Sequence, residues 1–229
     1  MVRSETISSD EARSMAAAIR SAAFDQNLLD GIEPQDGWQR ARVDPVTVVE
    51  AAPGVEVDAR WRIVAYQWYE DGNGWGAVFA VPTDDADAAP VLHDDGRFEL
   101  PPHAASSISV ALRPSGDLAS FFARTLLVRE LHEIGALWHE VRWGSHDLMT
   151  GSPELPDDQG PWSWELPAPL SFDPVVEMMA AAMVRVVFYT RTDLGGARIV
   201  EHVDSQAIRD GSIKSDERVV ARGTGGWIP

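Results

Sequence analysis

The segment from Leu126 to Asp147 carries the densest set of groups in this chain that could perform acid–base chemistry. Glutamates, arginines and two tryptophans lie among three of the chain's six histidines, His132, His139 and His146. An imidazole can exchange a proton near neutral pH, a guanidinium can hold an anionic group, and an indole offers a flat stacking surface. These residue types together would suit a small polar or anionic substrate.

Two interpretations of the local structure lead to different chemistry. As one continuous helix, the segment would place successive histidines seven residues apart. That spacing is ~10.5 Å at a rise of about 1.5 Å per residue, which is too long for two of them to share a metal ion. Helical metal sites use ligand pairs three or four residues apart, and in this interpretation the histidines form only a polar helix face.

We favour the interpretation in which the helix stops near Gly135 and a strand begins at Trp138. Glycine destabilises a helix interior, whereas Val141 and Trp143 favour strands. Side chains alternate along a strand, so the segment would present two different faces. One face would carry Trp138, Glu140, Arg142 and His146, and the other His139, Val141, Trp143 and Asp147.

The first of these faces supplies the catalytic candidates. Arg142 could hold an anionic substrate while Glu140 or His146 acts as the general base. A structural ion pair between Glu140 and Arg142 is the alternative. The residues predicted to contact a ligand are Trp138, His139, Trp143 and His202.

His202 belongs to a second cluster, together with Glu201 and Asp204. On a strand His202 and Asp204 share one face, where a hydrogen bond between them would fix the tautomer of the histidine and raise its pKa. Pairing on a half-exposed sheet surface is the plainer interpretation, because no Gly-x-Ser-x-Gly hydrolase motif occurs.

No cofactor and no metal site are predicted. The chain lacks a dinucleotide-binding fingerprint, and without cysteine it can form neither a disulfide nor a thiolate metal site. If a metal ion were bound, its ligands would be His139, His146 and Asp147.

The formal net charge of −17 limits the partners. Such a field repels nucleic-acid phosphates and anionic membranes, so neither is predicted as a partner. A small polar ligand or a protein partner is expected instead, and an exposed apolar sheet face would imply a homodimer. The chain begins without the apolar region of a signal peptide and has no apolar run long enough to cross a bilayer, which predicts a soluble cytoplasmic protein.

Helix signals occur at three places. Ser8 lies three residues before Glu11, the spacing of a capping box, and apolar residues follow at helical intervals. The turn-forming residues 114–117 precede the second helix, which leads into the histidine-rich segment. A short helix is predicted from Pro174 to Ala182.

Strand signals fill much of the remainder. The run Asp71-Gly72-Asn73-Gly74 predicts a hairpin turn, and the long strand before it is apolar on both faces, so both faces must be covered. The predicted strands are Val43–Ala51, Val55–Glu70, Trp75–Val81, a short hairpin over Val91–Leu100, Ser107–Leu112, Val184–Thr192, Arg198–Ile208 and Ile213–Ala221.

The sequence thus predicts an α+β fold with mostly antiparallel, twisted β-sheets, two main helices and a Pro/Trp-rich strap. Residues 1–229 are expected to form a single domain. Its irregular segments are an acidic loop at 83–90 and the strap at 150–173, and a β-meander at 183–222 ends the chain.

Two functions follow from these patterns. The first is a non-catalytic binding or assembly protein, because no motif of a known reaction is present whereas large aromatic residues are frequent. The alternative is a general acid–base enzyme acting on a small polar or sugar-like substrate in a pocket lined by Trp, His, Glu and Arg. Convergence of the candidate side chains on one concave pocket would favour the enzyme.

Overall fold

The computed structural model describes residues 3–25, 30–32, 34–85, 89–137, 140–157, 160–180 and 182–226. Its strands pair antiparallel throughout these residues. The helices are α1 (Ser9–Ala23), α2 (Pro45–Glu50) and α3 (Leu118–Glu133). The α+β class, the antiparallel sheets and the two long helices are therefore confirmed, and the single domain stays a prediction. No helix of the described residues is long and apolar enough to cross a bilayer.

Fourteen strands occur in the described residues. They are β1 (Arg3–Thr6), β2 (Gly37–Arg40), β3 (Val55–Val57), β4 (Trp61–Glu70), β5 (Asn73–Pro82), β6 (Val91–Leu92), β7 (Phe98–Glu99), β8 (Leu112–Pro114), β9 (His146–Met149), β10 (Trp162–Trp164), β11 (Val175–Ala180), β12 (Met183–Thr192), β13 (Arg198–Ala207) and β14 (Ile213–Gly223).

Side chains cap the two long helices, the first at Ser8 as the sequence predicts and the second at Asp117, within the turn predicted to precede it. The Ser8 hydroxyl accepts a hydrogen bond from the backbone N–H of Glu11 at 3.4 Å, at the start of α1. Asp117 accepts one from the N–H of Ser120 at 2.8 Å, at the start of α3. Each cap satisfies a backbone donor that the helix itself leaves unpaired.

Helix α2 corrects the strand that the valine-rich sequence predicted over Val43–Ala51. The Asp44 carboxylate accepts a hydrogen bond from the N–H of Val46 at 2.9 Å, and Pro45 lies in the first helical turn, where a missing N–H costs nothing. Capping and the burial of two valines on the inner side outweigh the strand propensity of valine.

The larger sheet has seven strands. Its order is β1-β11-β12-β13-β14-β10, and β9 pairs with the part of β12 that β11 leaves free. Strands β12, β13 and β14 form the predicted C-terminal meander. The helix predicted from Pro174 to Ala182 is wrong, because β11 occupies this segment and its pairing with β1 and β12 outweighs the helix-start signal of proline.

A three-stranded sheet, which we call the smaller sheet, consists of β2, β4 and β5, and the pairs β3–β8 and β6–β7 form two separate two-stranded sheets. The turn between β4 and β5 has a positive φ at Asp71 (48°) and at Gly72 (82°), as a type I′ hairpin turn requires. Both faces of β4 are covered as predicted: Ile63 and Ala65 pack into the main core, whereas Val64 packs into a second apolar cluster.

Two further segments differ from the sequence prediction. The strand expected over Val55–Glu70 is interrupted at Asp58, whose carboxylate accepts the backbone N–H of Arg60 and turns the chain, so β3 pairs with β8 instead of joining the smaller sheet. The strand expected over Ser107–Leu112 is a 3-10 turn, because a serine hydroxyl caps its first free N–H, and only the last residue enters β8.

Helix α3 contacts strands of both sheets and is largely buried. Its polar side faces the inner side of β13, where His202, Asp204 and Gln206 are all fully buried. Gln206 donates to the carbonyl oxygen of Phe121 at 2.8 Å, and Asp204 accepts two hydrogen bonds from Arg129 at 2.6 and 2.9 Å. A row of polar contacts therefore passes through the core and positions the helix against the sheet.

Candidate functional site

The end of α3 sets the geometry of the histidine-rich segment. The helix ends at Glu133, and Gly135 then adopts a positive φ of 85°, which turns the chain out of the helix. The Glu133 carboxylate accepts hydrogen bonds from the backbone N–H groups of Arg142 (3.1 Å), Trp143 (2.8 Å) and Gly144 (3.3 Å). One carboxylate thereby fixes the returning loop.

The helix end predicted near Gly135 is confirmed, but the strand expected from Trp138 is wrong. Trp143–Ser145 form a 3-10 turn, and β9 begins only at His146. The backbone donors that a strand would pair are bound to a carboxylate instead, so the predicted alternation of side chains does not hold.

The predicted site residues separate into groups. Trp138 and His139 lie outside the described residues. Glu140 lines a separate cavity of about 360 Å³ at the tip of the β4–β5 hairpin, together with two other carboxylate residues. Arg142 is exposed, and none of the hydrogen bonds and ring contacts found for His146 involves Glu140 or Arg142. The catalytic roles of these residues stay predictions.

The structure does bring Trp143, His146 and His202 together. The Trp143 ring stacks on His146 with the centroids 5.4 Å apart, and it meets His202 edge-on at 5.7 Å. Phe188 stacks on His202 at 4.6 Å. His202 is fully buried in this aromatic cluster, whereas His146 is partly exposed.

A continuous chain of hydrogen bonds joins the two histidines to a carboxylate. His146 Nδ1 lies 2.7 Å from Thr190 Oγ1, which lies 2.7 Å from His202 Nε2. His202 Nδ1 lies 3.0 Å from Glu217 Oε1. The four residues come from β9, β12, β13 and β14, whose pairing sets them side by side across the larger sheet. We call His146, Thr190, His202 and Glu217 the histidine relay.

Burial lowers the pKa of both histidines of the relay. The pKa of His146 falls to about 4, because burial and the neighbouring His202 both disfavour its charged form. Burial also lowers the pKa of His202. The hydrogen bond to Glu217 raises this pKa, but by less than burial lowers it. The hydrogen bond from His202 in turn lowers the pKa of Glu217 to about 2. At neutral pH the relay therefore holds two neutral imidazoles and one carboxylate.

The predicted hydrogen bond between His202 and Asp204 is not formed. Both side chains lie on the inner face of β13 and are fully buried, not on a half-exposed surface. Asp204 binds Arg129, while His202 binds Thr190 and Glu217, so each has partners of its own. The pKa of His202 is consequently lowered, where the sequence predicted a rise.

A cavity of about 690 Å³ lies beside the turn between β13 and β14. Its walls come from this turn, the segment after β3, strand β8 and helix α3. Four guanidinium groups and two carboxylates line it, which leaves an excess of two positive charges in a chain of formal net charge −17. We call it the arginine-lined cavity, and its charged residues are Asp58, Arg60, Arg113, Arg124, Arg209 and Asp210.

Arg124 projects from α3 into this region and is only 1% exposed. Its Nη1 donates to Gln206 Oε1 at 2.9 Å, and its Nη2 donates to the carbonyl oxygens of Ser109 (2.7 Å) and Gly211. No described carboxylate pairs with it, and its Nε has no hydrogen-bond partner. Burial lowers the pKa of Arg124 to about 10 despite the nearby Asp210, so the guanidinium is charged at neutral pH.

A second buried donor of the cavity also lacks an acceptor within the described chain. Trp61 lines the cavity, and its Nε1 has no hydrogen-bond partner. Asp58 is already bound by Arg60 at 2.7 Å and by Arg113 at 2.6 Å, and these contacts hold the pKa of that carboxyl well below its usual range. Among the described residues that line the cavity, the buried side-chain groups without a hydrogen-bond partner are therefore N–H donors.

No sequence pattern predicted the arginine-lined cavity. Its charged residues are spread from Asp58 to Asp210, so no local motif marks them. One signal was present, because Arg124 interrupts the largely apolar run from Phe121 to Val128. A charged residue in the middle of a buried helix needs a structural or functional explanation.

Comparisons of the chain with protein-family models, with known protein sequences and with solved structures found no match. In the part of the chain that the structure describes, no group of three or more His, Asp or Glu side chains is placed to hold a metal ion. Function is therefore inferred from the arginine-lined cavity and the histidine relay.

Proposed function

We propose that this protein binds a small organic anion in the arginine-lined cavity without transforming it. The observation that carries the proposal is Arg124, a buried guanidinium with no described carboxylate partner and an unsatisfied Nε. A buried charge costs free energy unless an opposite charge or hydrogen-bond acceptors accompany it. An anionic ligand would supply both.

The cavity suits a ligand of modest size. Its volume of about 690 Å³ lies within the range of ~300–1,000 Å³ that is typical of small-molecule sites. Arg60, Arg113 and Arg209 are more exposed than Arg124 and add positive charge to the exposed part of the lining. Such a charge would draw an anion toward a protein that is acidic elsewhere.

Binding without turnover is favoured because the cavity offers no effective base. Among its described lining residues, the titratable groups are arginines and aspartates. Asp58 is held by two arginines, and hydrogen bonds from Ser212 lower the pKa of Asp210. Both carboxylates are therefore weak proton acceptors, and the efficiency of a general base falls as its pKa falls below the working pH.

Arg209 gives the first test, because it is exposed and forms no salt bridge with a described residue. We expect citrate, benzoate or octanoate, at constant ionic strength, to raise the thermal unfolding midpoint of the wild-type protein. Arg209→Ala should weaken that binding threefold to tenfold in calorimetric titration, since one charge-assisted contact is worth on the order of 1 kcal/mol.

The matched control is Arg97→Ala. Arg97 is an exposed arginine that pairs with Asp95 in the β6–β7 hairpin and does not line the cavity. Its removal changes the net charge equally and should leave the affinity unchanged. No response to any of the three anions, or equal weakening by both substitutions, would contradict the proposal.

General base catalysis at His146 is the second candidate. The polarity of the histidine relay favours it, whereas the pKa of about 4 makes His146 a weak base at neutral pH for the same reason as the two aspartates of the cavity. The Glu217 carboxylate can only accept, so neutral His202 donates through Nδ1 and accepts at Nε2 from the Thr190 hydroxyl. The hydroxyl then accepts from His146 Nδ1–H, and no described residue bonds the remaining Nε2. Catalytic histidines are oriented through a carboxylate in the same manner.

The tautomer of His146 tests this candidate and can be read by nitrogen-15 NMR at neutral pH. We expect His146 to carry its proton on Nδ1 in the wild type, and to lose that preference in Thr190→Val, which keeps the side-chain shape but removes the hydroxyl. Thr192→Val is the control, because Thr192 lies on the same strand and bonds Ser145 instead of the relay. A proton on Nε2 in the wild type would end the candidacy of His146 as a base.

A further inference from the structure

We infer that the ligand of the arginine-lined cavity is an aliphatic carboxylate, with its head group at Arg124 and its chain against the apolar wall. The inference rests on the proposed binding function and adds the chemical class of the ligand. Two observations carry it, namely the buried N–H groups without an acceptor on two lining residues and the apolar side chains among the lining residues, of which some are buried and some exposed.

The donors favour a carboxylate over a phosphate. Two lining residues of the cavity each have a buried N–H group that lacks an acceptor, namely Arg124 at Nε and Trp61 at Nε1. A carboxylate brings two acceptor oxygens, whereas a phosphate group would bring further oxygens that need donors of their own. Both terminal nitrogens of Arg124 are already bound to Gln206 and to backbone carbonyls, so the guanidinium cannot grip a phosphate in a forked arrangement.

The rest of the wall favours an apolar chain. Leu112 and Phe121 are buried lining residues, Met178 is partly buried, and Ile208 is 44% exposed. A strongly polar ligand would leave these apolar side chains exposed to water, whereas an alkyl chain that extends outward from the head group would bury them. A methionine adapts easily to the shape of such a chain, because it has three rotatable bonds and no branch.

Chain length gives the decisive comparison. Calorimetric titration at constant ionic strength compares butyrate, octanoate and octan-1-ol. Each buried methylene group tightens binding by a factor of about four at most. Octanoate has four more methylene groups than butyrate, and we expect it to bind at least tenfold more tightly. Octan-1-ol should bind at least tenfold more weakly than octanoate, because it cannot neutralise Arg124.

The variant Ile208→Ser tests the position of the chain. It should weaken octanoate threefold or more and leave the affinity for citrate and benzoate unchanged, because those anions do not extend along an alkyl path. Ile32→Ser is the matched control, since Ile32 is also exposed, at 52%, and does not line the cavity. Both isoleucines are exposed enough for serine to be tolerated in the fold.

The outcomes separate this inference from the proposed function. If citrate or benzoate binds with the expected dependence on Arg209 but octanoate binds no more tightly than butyrate, the aliphatic ligand is wrong and the binding function stands. If octan-1-ol binds as tightly as octanoate, recognition of the carboxylate is wrong. If no anion binds, both proposals are wrong.

Discussion

Single residues on the inner face of β13 connect the two candidate sites. His202 belongs to the histidine relay. Gln206, four residues further along β13 and on the same face, accepts a hydrogen bond from the guanidinium of Arg124. Between them Asp204 holds Arg129. Buried polar groups that are fully bonded in this way fix one arrangement of the core, because each alternative arrangement would leave a donor or an acceptor unpaired.

The lowered pKa of His146 makes stability depend on pH. The unfolded chain takes up a proton near the usual histidine value of ~6.5, whereas the folded protein does so only near 4. The contribution of neutral His146 is therefore complete above about pH 6.5 and is lost as the pH falls toward 4, by up to ~1.4 kcal/mol per pH unit. His146→Asn should reduce the fall in unfolding free energy between about pH 7 and about pH 5, measured by urea titration. Part of the fall should remain, because the pKa of His202 is also lowered.

Glu217 does not obscure this measurement. Its folded pKa of about 2 is also lowered, so its contribution is present above the usual glutamate value and is lost only at more acidic pH. An equally steep loss of stability in the wild type and in His146→Asn would show that another group is responsible.

Trp143, His146 and His202 were predictable from the sequence, because each is a reactive or aromatic residue in a local cluster of such residues. Thr190 and Glu217 could not be named in this way, because their place in the relay depends on the register of the consecutive strands β12, β13 and β14. That register shifts between Ile199 and Val200, where no sequence pattern marks it. The same limit applies to the arginine-lined cavity, whose residues come together only in the folded chain.

At the scale of elements, the loop after α3 packs closely against two glycines of β5, Gly74 and Gly76, which we call the glycine notch. A Cβ added at Gly76 would lie 1.7 Å from the carbonyl oxygen of Ile134, and one added at Gly135 would lie 2.7 Å from the Cβ of Gln67. The close approach continues at Gly74, which pairs with Leu137. Side chains at these glycines would push the end of the helix away from the smaller sheet.

Gly135→Ala should therefore destabilise the protein by about 3 kcal/mol, the sum of a positive φ that alanine tolerates poorly and of overpacking. Gly116→Ala is the matched control, because Gly116 also has a positive φ, 101°, but nothing lies within 4 Å of an added Cβ. We expect about 1 kcal/mol there, from the backbone term alone. Equal losses in chemical denaturation would show that the notch contributes nothing.

The elements that the sequence predicted correctly depend on local signals. The Ser8 cap, the helix start after residues 114–117 and the Asp71-Gly72 turn depend on a few residues each, and they are found as expected. The errors at Pro45 and Pro174 have a different origin. The local composition was compatible with both a helix and a strand at each place. Capping by Asp44 favoured the helix at Pro45, and strand pairing favoured β11 after Pro174. Gly74 was assigned to the turn, yet it lies within β5, where its lack of a side chain admits the neighbouring backbone.

At the scale of the whole molecule, the charge distribution is strongly uneven. The chain has a formal net charge of −17, yet one cavity holds an excess of positive charge. Self-repulsion of like charges destabilises a compact state. We expect the unfolding free energy, measured in urea, to rise between about 0.1 M and about 1 M NaCl, because the screening length falls from about 10 Å to about 3 Å. A decrease with salt would mean that the attractive ion pairs outweigh this repulsion.

The polar row between α3 and β13 has a consequence for how the arginine-lined cavity is built. A helix packed only through apolar side chains can slide or rotate by small amounts with little change in energy. Here α3 is hydrogen-bonded to β13 at two points along its length, through Arg129–Asp204 and Phe121–Gln206. These two contacts define both the axial position and the rotation of the helix. Arg124 lies between these two contacts on the helix. Its guanidinium is therefore held at one position beside the cavity, and this position does not depend on a bound ligand.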